Sequence, residues 1–330
     1  MAANGGVLIV AEAGGGELRP ASYELVTAGR RLAGGLGGQL TALLMGSGID
    51  EAASQLASTG VDRVLIADDS RLTHMPVDAA TAVIERVVRD VAPAAVLIPG
   101  TTAGIEYAPR LAARLRVGLA SDCIDFAVED GALIAVRPVL GGRVQTAVKF
   151  GESRPQLATV RLGSFEQASP VDGGPTPERV QVELADTDLR IRVIGVAQKE
   201  EAGGVALEEA TVIVGGGRGL KEPKNFELVE ELASALSGAV AATRAVTDAG
   251  WRPHHEQVGQ TGRTIAPRLY IAVGISGAVQ HLVGIQGSDY IVAINRDPDA
   301  PIFKTASFGI VGDLFEVVPA LIAELKAARA

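Results

Sequence analysis

The chain has 330 residues, of which 47% are hydrophobic and 21% are charged, and its formal net charge at pH 7 is −9. This length exceeds one ordinary hydrophobic core and predicts two domains. The negative charge and the lack of a basic run argue against nucleic-acid and anionic-membrane surfaces, and a single cysteine, Cys123, excludes an internal disulfide and a cysteine-rich metal site.

The N-terminal stretch MAANGGVLIVAEAGGGELRP shows no targeting signal. It lacks a basic region followed by a long apolar run, and VLIV within it is typical of a short strand. No stretch of the chain has the length and apolar character of a membrane span. We therefore expect a bacterial cytoplasmic protein without direct membrane insertion.

The first half of the chain alternates apolar runs with amphipathic segments. Strands are predicted at 7–13, 39–46, 61–68 and 94–100, and helices at 22–36, 50–60, 76–91 and 103–116. Strands that alternate with helices of this length indicate right-handed βαβ units around a parallel sheet.

The pattern changes after Gly118. Three β-rich runs, at 132–140, 143–150 and 155–164, are separated by Gly/Pro turns and predict hairpins that extend the sheet. A Pro/Gly-rich connection follows at 166–179. A charged and then glycine-rich segment places the predicted domain boundary near Gly203, which gives domains 1–203 and 204–330.

The second half returns to the α/β alternation. Strands are predicted to begin near residues 211, 239, 268, 289 and 309, with helices after most of them. The predicted fold class is therefore α/β with two domains, each a mainly parallel sheet flanked by helices, and the C-terminal domain is Rossmann-like. Its strands end in small or polar residues at one edge, where open α/β sheets bind ligands.

The octapeptide GISGAVQH, Gly274 to His281, follows the apolar run LYIAV. Small residues after a buried strand let backbone N–H groups approach a phosphate, and polar groups after the next strand, from Asn295 to Asp297, stand where a nucleotide ribose is held. The turn lacks a full G-x-G-x-x-G pattern, so an ordinary strand–helix turn is an equally open interpretation.

A hydrolase is a weaker interpretation of the same octapeptide. Its G-x-S-G-A departs from the G-x-S-x-G nucleophile elbow, and His281 would lie on the same helix as Ser276, not on a distant loop. From the residues alone, His281 is more typical of a helix surface than of a ligand site.

Three further segments stand at predicted strand ends. GGGRG, at 215–219, places Arg218 in a flexible turn that suits an anion, Arg244 follows the next strand, and VGQTG, at 258–262, is a polar glycine loop. Each is equally compatible with a solvated turn. Their convergence at one edge favours a ligand site.

These motifs resemble the electron transfer flavoprotein α-subunit family. The resemblance is close over residues 258–319, with GGRGL at 216–220 and TRAVTDAG at 243–250 in the family's order upstream. It continues more loosely through the N-terminal domain, in VLIVAE, VLIPGTTAG and SDCIDF. It implies a heterodimer with a β subunit, on which the N-terminal domain packs, and FAD held by the C-terminal domain.

The resemblance also implies a set of FAD contacts. They are Arg218, Thr243, Arg244, Val258, Gly259, Gln260, Thr261, Ser276, Gly277, Ala278, Val279, Gln280, His281, Asn295, Asp313 and Leu314. In the family's pattern, Arg244 puts positive charge near the isoalloxazine, Thr261 lies near N5 and His281 near O2, so these three tune the redox chemistry. Asn295, Asp313 and Leu314 surround the adenosine end.

The implied function is electron transport in fatty acid β-oxidation. The protein would carry electrons from acyl-CoA dehydrogenases to a membrane electron transfer flavoprotein–quinone oxidoreductase through an anionic semiquinone, as a carrier with no organic substrate of its own. The β subunit would hold AMP, or a second FAD if the alternative, an electron-bifurcating NADH-dependent flavoprotein, is correct. A nucleotide-binding sensor without redox activity stays open beside both.

Overall fold

The structure is a computed structural model, which describes residues 4–140, 142, 144–191, 193–195, 207 and 210–329. The chain divides into two compact units, Met1–Ala197 and Gln198–Ala330, called here the N-terminal and C-terminal units. The boundary predicted near Gly203 lies outside the described residues. Within the described part of the chain, no helix is long and apolar enough to cross a membrane.

The N-terminal unit contains four helices and twelve strands among its described residues. The helices are α1 (Pro20–Leu36), α2 (Asp50–Ala57), α3 (Val77–Val91) and α4 (Thr102–Leu115). The strands are β1 (Asn4–Ala11), β2 (Ala13–Gly14), β3 (Glu17–Leu18), β4 (Leu40–Gly46), β5 (Arg63–Asp68), β6 (Pro93–Pro99), β7 (Leu119–Cys123), β8 (Asp125–Glu129), β9 (Ala132–Val139), β10 (Val144–Lys149), β11 (Gln156–Val160) and β12 (Glu178–Arg179).

The main sheet of this unit has the order β12-β5-β4-β1-β6-β11-β7, and its strand pairs are parallel. Successive residues of β1 face opposite sides, so Ile9 packs with α1 and α2 while Leu8 packs with α3 and α4. Both faces are therefore covered, as a parallel sheet requires. This confirms the predicted mainly parallel sheet flanked by helices.

The three β-rich runs were predicted to extend the main sheet as hairpins, and the structure pairs them differently. Strands β8, β9 and β10 form a separate antiparallel sheet, and of the three β-rich runs only β11 extends the main sheet, as a parallel strand. The burial patterns give the reason. Every residue of β11 is buried, whereas β10 has no buried residue, and an antiparallel sheet tolerates one solvated face.

The C-terminal unit has one five-stranded sheet of order β14-β13-β15-β16-β17, in which neighbouring strands are parallel. Its strands are β13 (Val212–Gly216), β14 (Ala239–Ala242), β15 (Leu269–Val273), β16 (Tyr290–Asn295) and β17 (Phe308–Val311). Its helices are α5 (Glu227–Ala235), α6 (Arg244–Thr247), α7 (Val279–Ile285) and α8 (Leu314–Arg329). Helices α5 and α8 pack on one face of the sheet and α7 on the other.

Counted within the unit, this strand order is 2-1-3-4-5, the second common order of doubly wound sheets. The chain leaves β13 towards one side for β14 and then returns past it to β15. The resulting switch point lies between the carboxyl ends of β13 and β15. A crevice at that point is where such sheets bind ligands.

Candidate functional site

The carboxyl ends of all five strands of the C-terminal unit lie at one edge of the sheet because the strands are parallel. Every residue predicted as an FAD contact lies in this unit, at or soon after the end of a strand, in the first turn of α7 or in the loop between α6 and β15. The structure therefore brings the predicted set to one edge. Which ligand they bind is a separate question.

Two glycine turns meet at the switch point. The Gly217 N–H donates to Val273 O at 2.9 Å, and the Gly219 N–H donates to Gly274 O at 3.0 Å. A Cβ atom at Gly217 would collide with Gly274 O, and one at Gly219 would lie 2.7 Å from the Gly274 Cα. The glycines are needed here because the two backbones touch.

The segment after β15, residues 274–278, is called here the switch-point turn. Its Gly274 and Gly277 have φ angles of 63° and 84°, in the left-handed region that favours glycine. Among the described residues, none accepts a hydrogen bond from the backbone N–H groups between Ile275 and Gln280. A run of unbonded N–H groups in such a turn is suited to binding an anion.

The polar loop, residues 258–262, is fastened to the start of α7. The Gln260 N–H donates to Gln280 O at 2.7 Å, and Gly259 and Arg263 are joined by a backbone hydrogen bond of 3.0 Å. A Cβ atom at Gly259 would lie 2.7 Å from Gln280 O. The loop therefore lies beside the switch-point turn, with Gln260 and Thr261 exposed.

His281 is buried, with 6% of its surface exposed, so the helix-surface position that the residues alone favoured is wrong. Its Nδ1 lies 3.1 Å from Val258 O and its Nε2 lies 3.0 Å from the Tyr270 hydroxyl. Since a carbonyl only accepts, Nδ1 carries the proton and Nε2 accepts from the tyrosine. Burial lowers the His281 pKa from 6.5 to about 4, so the ring is neutral at pH 7.

The same contacts exclude His281 as a base for Ser276. Both His281 nitrogens are hydrogen-bonded elsewhere, and the described hydrogen bond of Ser276 is its carbonyl accepting from the Ile302 N–H at 3.0 Å. The geometry gives no support to the serine hydrolase interpretation.

Two arginines give this edge positive charge. The Arg218 guanidinium carbon lies 4.6 Å from the centre of the Trp251 ring, a cation–π contact that holds an otherwise exposed side chain. Arg244 is 66% exposed and donates from Nε to the Asp248 carboxylate at 3.1 Å. Both side chains have guanidinium groups that face water and can reach an anion.

The far side of the switch-point turn is held by Asn295 and closed by Leu314. The Asn295 Nδ2 donates to Ile275 O at 2.9 Å, and its Oδ1 accepts from the Asp297 N–H at 3.0 Å. Leu314 is buried against Gly274. Asp313, just before α8, is exposed and accepts from the Phe315 N–H.

Three residues that contact the predicted set were missed from the sequence. Tyr270 belongs to the apolar run LYIAV, which predicts only a buried strand. Thr247 lies within TRAVTDAG but has no predicted role there, and Gln257 stands in no motif. The Gln257 side chain bridges the Thr247 and Thr261 hydroxyls while only 4% exposed. No spacing signal points to it, because the loop that contains it has no regular period.

Comparison with known proteins adds two family matches and several close relatives. Residues 7–187 match the electron transfer flavoprotein domain, and residues 206–286 match the electron transfer flavoprotein FAD-binding domain. The chain is 46% identical to protein FixB of Clostridium saccharobutylicum, over 97% of this chain and 96% of that protein.

It is 45% identical to the electron transfer flavoprotein subunit alpha of Clostridium acetobutylicum, over 98% of each chain. It is also 39% identical to the lactate dehydrogenase (NAD(+),ferredoxin) subunit LctC of Acetobacterium woodii, over 94% of this chain and 74% of that protein.

Proposed function

The chain belongs to the electron transfer flavoprotein α-subunit family, and from that membership we propose that it binds FAD and carries electrons between other proteins. The segment that matches the family's FAD-binding domain, residues 206–286, runs from just before β13 to the end of α7. It therefore includes the switch-point turn and the polar loop.

The observation that supports FAD most directly is the run of unbonded N–H groups from Ile275 to Gln280. The diphosphate of FAD is an anion with several acceptor oxygens, and consecutive backbone donors are a common way to bind one. The positive φ angles of Gly274 and Gly277 give the turn a conformation that residues with a Cβ atom rarely adopt. The donor set of the turn therefore fits the group.

The nucleotide end is assigned to residues on either side of that turn. Arg218 would neutralise part of the diphosphate charge from the end of β13, with Trp251 holding its side chain. Asn295 at the end of β16, with Asp313 and Leu314 after β17, would surround the adenosine, as the family resemblance implies.

The flavin end is assigned to Thr243, Arg244 and the polar loop, and FAD when bound supplies the one-electron chemistry. Arg244 would stabilise the negative charge that reduction adds to the ring, and the Thr261 hydroxyl would lie at N5. His281 is neutral and engaged through both nitrogens, so the proposal gives it no charge. Its role is to hold the carbonyl of Val258 and so fix the polar loop against α7.

The proposed partners follow from the family. A β subunit would complete a heterodimer and hold AMP, or a second FAD. Acyl-CoA dehydrogenases would donate electrons, and a membrane electron transfer flavoprotein–quinone oxidoreductase would accept them. Two one-electron steps allow the carrier to connect two-electron donors with other redox proteins.

The test is to co-produce the chain with its proposed β subunit and to record the absorption spectrum of the purified complex. We expect bound FAD at one per heterodimer, reduced in two resolved one-electron steps. A colourless complex that takes up no added FAD would contradict the proposal and favour the nucleotide-binding sensor. Ser276→Ala should change flavin binding, whereas a hydrolase would lose turnover with flavin content unchanged.

A second candidate is an electron-bifurcating, NADH-dependent flavoprotein. It is favoured by the 39% identity to a subunit whose name joins NAD(+) and ferredoxin. The same preparation separates the two, because bifurcation requires two FADs per heterodimer and rapid reduction by NADH. One FAD that NADH does not reduce would leave the simple carrier.

A further inference from the structure

Gln257 is a buried polar side chain between two threonine hydroxyls. Its Oε1 lies 2.8 Å from Thr247 Oγ1, and its Nε2 lies 3.0 Å from Thr261 Oγ1. Only 4% of Gln257 is exposed, whereas Thr261 is exposed. The glutamine therefore connects the interior of the unit with a hydroxyl at the surface of the predicted flavin site.

The two distances indicate the direction of these hydrogen bonds. O–H···O bonds in proteins centre near 2.7–2.8 Å and N–H···O bonds near 2.9–3.0 Å. The Thr247 hydroxyl has one proton and two acceptors within reach, the glutamine oxygen at 2.8 Å and Arg244 O at 3.0 Å, and the shorter contact takes that proton. The glutamine amide then donates to Thr261. An amide N–H can only donate, so Thr261 is the acceptor in this pair.

The direction decides what Thr261 offers to a ligand. Its oxygen already receives a proton from Gln257, so its own proton is free to point away from the loop. In the described part of the chain nothing accepts that proton. With the amide reversed, Thr261 would have to donate to Gln257 and would offer a ligand only a lone pair.

The surrounding backbone holds the glutamine in place. The Gln257 N–H donates to His254 O at 3.1 Å, and Gln257 O accepts from the Arg263 N–H at 2.7 Å. The loop closes tightly around it, since a Cβ atom at Gly262 would collide with Gln257 O. The side-chain amide is thus presented to the threonines from a fixed backbone.

We propose that Gln257 is a positioning residue that makes the Thr261 hydroxyl a hydrogen-bond donor to the bound flavin. This rests on the proposed function, which puts Thr261 at the ring. A donor to a ring atom that becomes more negative on reduction stabilises the product of the first electron transfer. Gln257 therefore raises the potential of that step without touching the flavin, and Thr247 supports it by fixing the amide.

The test compares Gln257→Met, Thr261→Val and the double variant in the complete heterodimer. Methionine keeps the length of glutamine but cannot donate or accept as an amide does, and it adds no charge. Gln286→Met is the matched control, because Gln286 is an exposed glutamine just after α7. Flavin content, the dissociation constant for FAD and the potentials of both one-electron steps are measured by spectroelectrochemical titration.

We expect Gln257→Met to lower the equilibrium constant of the first electron transfer by up to about tenfold, or roughly 59 mV. Thr261→Val should cause a similar fall, and the double variant should add nothing to it, because both changes remove the same donor. Thr247→Val, which keeps the loop backbone and the amide, should shift the potential in the same direction by less. Gln286→Met should leave it unchanged.

If Gln257→Met binds flavin normally and keeps the wild-type potential of the first electron transfer, this inference is overturned. The proposed function would not be affected. A fall that persists undiminished in the Thr261→Val background would also overturn the inference, since Gln257 would then act by another route. If Gln257→Met fails to fold, Thr247→Val with an unchanged potential overturns it. Absence of flavin from the wild-type complex would instead contradict the proposed function on which it rests.

Discussion

At the residue scale, His281 is defined by its two hydrogen bonds. Val258 O accepts from one ring nitrogen and the Tyr270 hydroxyl donates to the other, so the neutral ring satisfies both partners. A second proton on Nε2 would remove the acceptor of the Tyr270 hydroxyl and would put a positive charge on a buried ring. The pKa is lowered mainly because burial penalises that charge.

Stability of the C-terminal unit should therefore fall in mild acid. The His281 pKa is about 4 when folded and 6.5 ordinarily, so the unfolded chain binds more protons between these values. The contribution is complete above pH 6.5 and is lost as the pH falls towards 4, by about 3 kcal/mol. Urea titrations of the flavin-free protein, followed by the fluorescence of Trp251, the only tryptophan, measure it.

The control for this prediction is His281→Gln, which cannot titrate. It should be less stable at pH 7, because it loses the fitted ring, but its stability should change much less between pH 6.5 and 4. Equal pH dependence in wild type and variant would show that His281 is not the group responsible.

Arg244 is the residue proposed to place positive charge at the flavin ring. Replacing it with alanine should lower the potential of the first electron transfer by about 60 mV, a tenfold change in the equilibrium constant. Arg244→Lys should lower it less, and Asp248→Asn should raise it, because Asp248 lies 3.1 Å from the guanidinium and offsets its charge.

The matched control is Arg268→Ala, an exposed arginine just before β15 and so at the opposite edge of the sheet. Both changes remove one positive charge from the same unit. A potential that falls equally in both variants would mean that net charge, and not the position of Arg244, sets it.

At the element scale, the site depends on turns that follow parallel strands, and these could be predicted. Buried apolar runs such as LYIAV and glycine-rich turns after them are local features, so the strands and the switch-point turn could be predicted from the sequence. The strand order within each sheet could not be predicted in this way, because it depends on pairing between segments that are far apart in the sequence. Nor could the pairing of β9 and β10 in a separate sheet, because alternation specifies a half-exposed strand but not its neighbour.

The parts of the site that the sequence did not reveal are buried polar contacts. From the residues alone His281 is typical of a helix surface, and Val279 and Gln280 just before it are exposed, whereas Gln257 lies in an irregular loop. Their positions depend on how that loop packs against α7, which no periodic pattern encodes. Resemblance to a family supplied the predicted role of His281 but not its hydrogen-bond partners.

The contact between the two glycine turns should be intolerant of side chains. Gly217→Ala would push a methyl group into Gly274 O, so we expect a loss of about 1–3 kcal/mol in stability and weaker FAD binding. Gly34→Ala is the control. Gly34 is exposed in α1 with open space around it, so alanine there should stabilise the protein by about 0.5–1 kcal/mol. Loss of stability in the control, or none at Gly217, would contradict the packing described.

In the N-terminal unit, Glu24 joins α1 to the segment after β11. Its carboxylate accepts from the Gly163 N–H at 2.7 Å, and burial raises its pKa from 4.5 to about 7. Here the folded state binds more protons, so the contribution of Glu24 to the free energy of unfolding is complete below pH 4.5. About 3 kcal/mol of that contribution is lost as the pH rises through 7. This is opposite in sign to the effect of His281.

Glu24→Gln should remove that dependence, because the amide oxygen can still accept from Gly163 but does not titrate. Hydrogen exchange of the α1 amides, measured at pH 5 and pH 7.5 after correction for intrinsic rates, reports it. We expect protection to fall at pH 7.5 in wild type and not in the variant. A fall in protection of equal size in wild type and in Glu24→Gln would show that Glu24 does not cause it.

At the scale of the whole molecule, the chain consists of two α/β units with different predicted roles. All the predicted cofactor contacts lie in the C-terminal unit, and the larger N-terminal unit has the sheet expected to pack on a β subunit. Composition and length predicted two units, and the family matches fall one on each, at 7–187 and 206–286. The partner proposed to complete the carrier is a second chain, the β subunit.

The central claim is that FAD binds at the carboxyl edge of the C-terminal sheet. A crystal structure of the heterodimer grown with FAD tests it most directly. We expect the diphosphate against the N–H groups from Ile275 to Gln280, and the flavin ring between Arg244 and Thr261. FAD bound elsewhere on the chain, or a diphosphate that leaves those N–H groups without a partner, would contradict it.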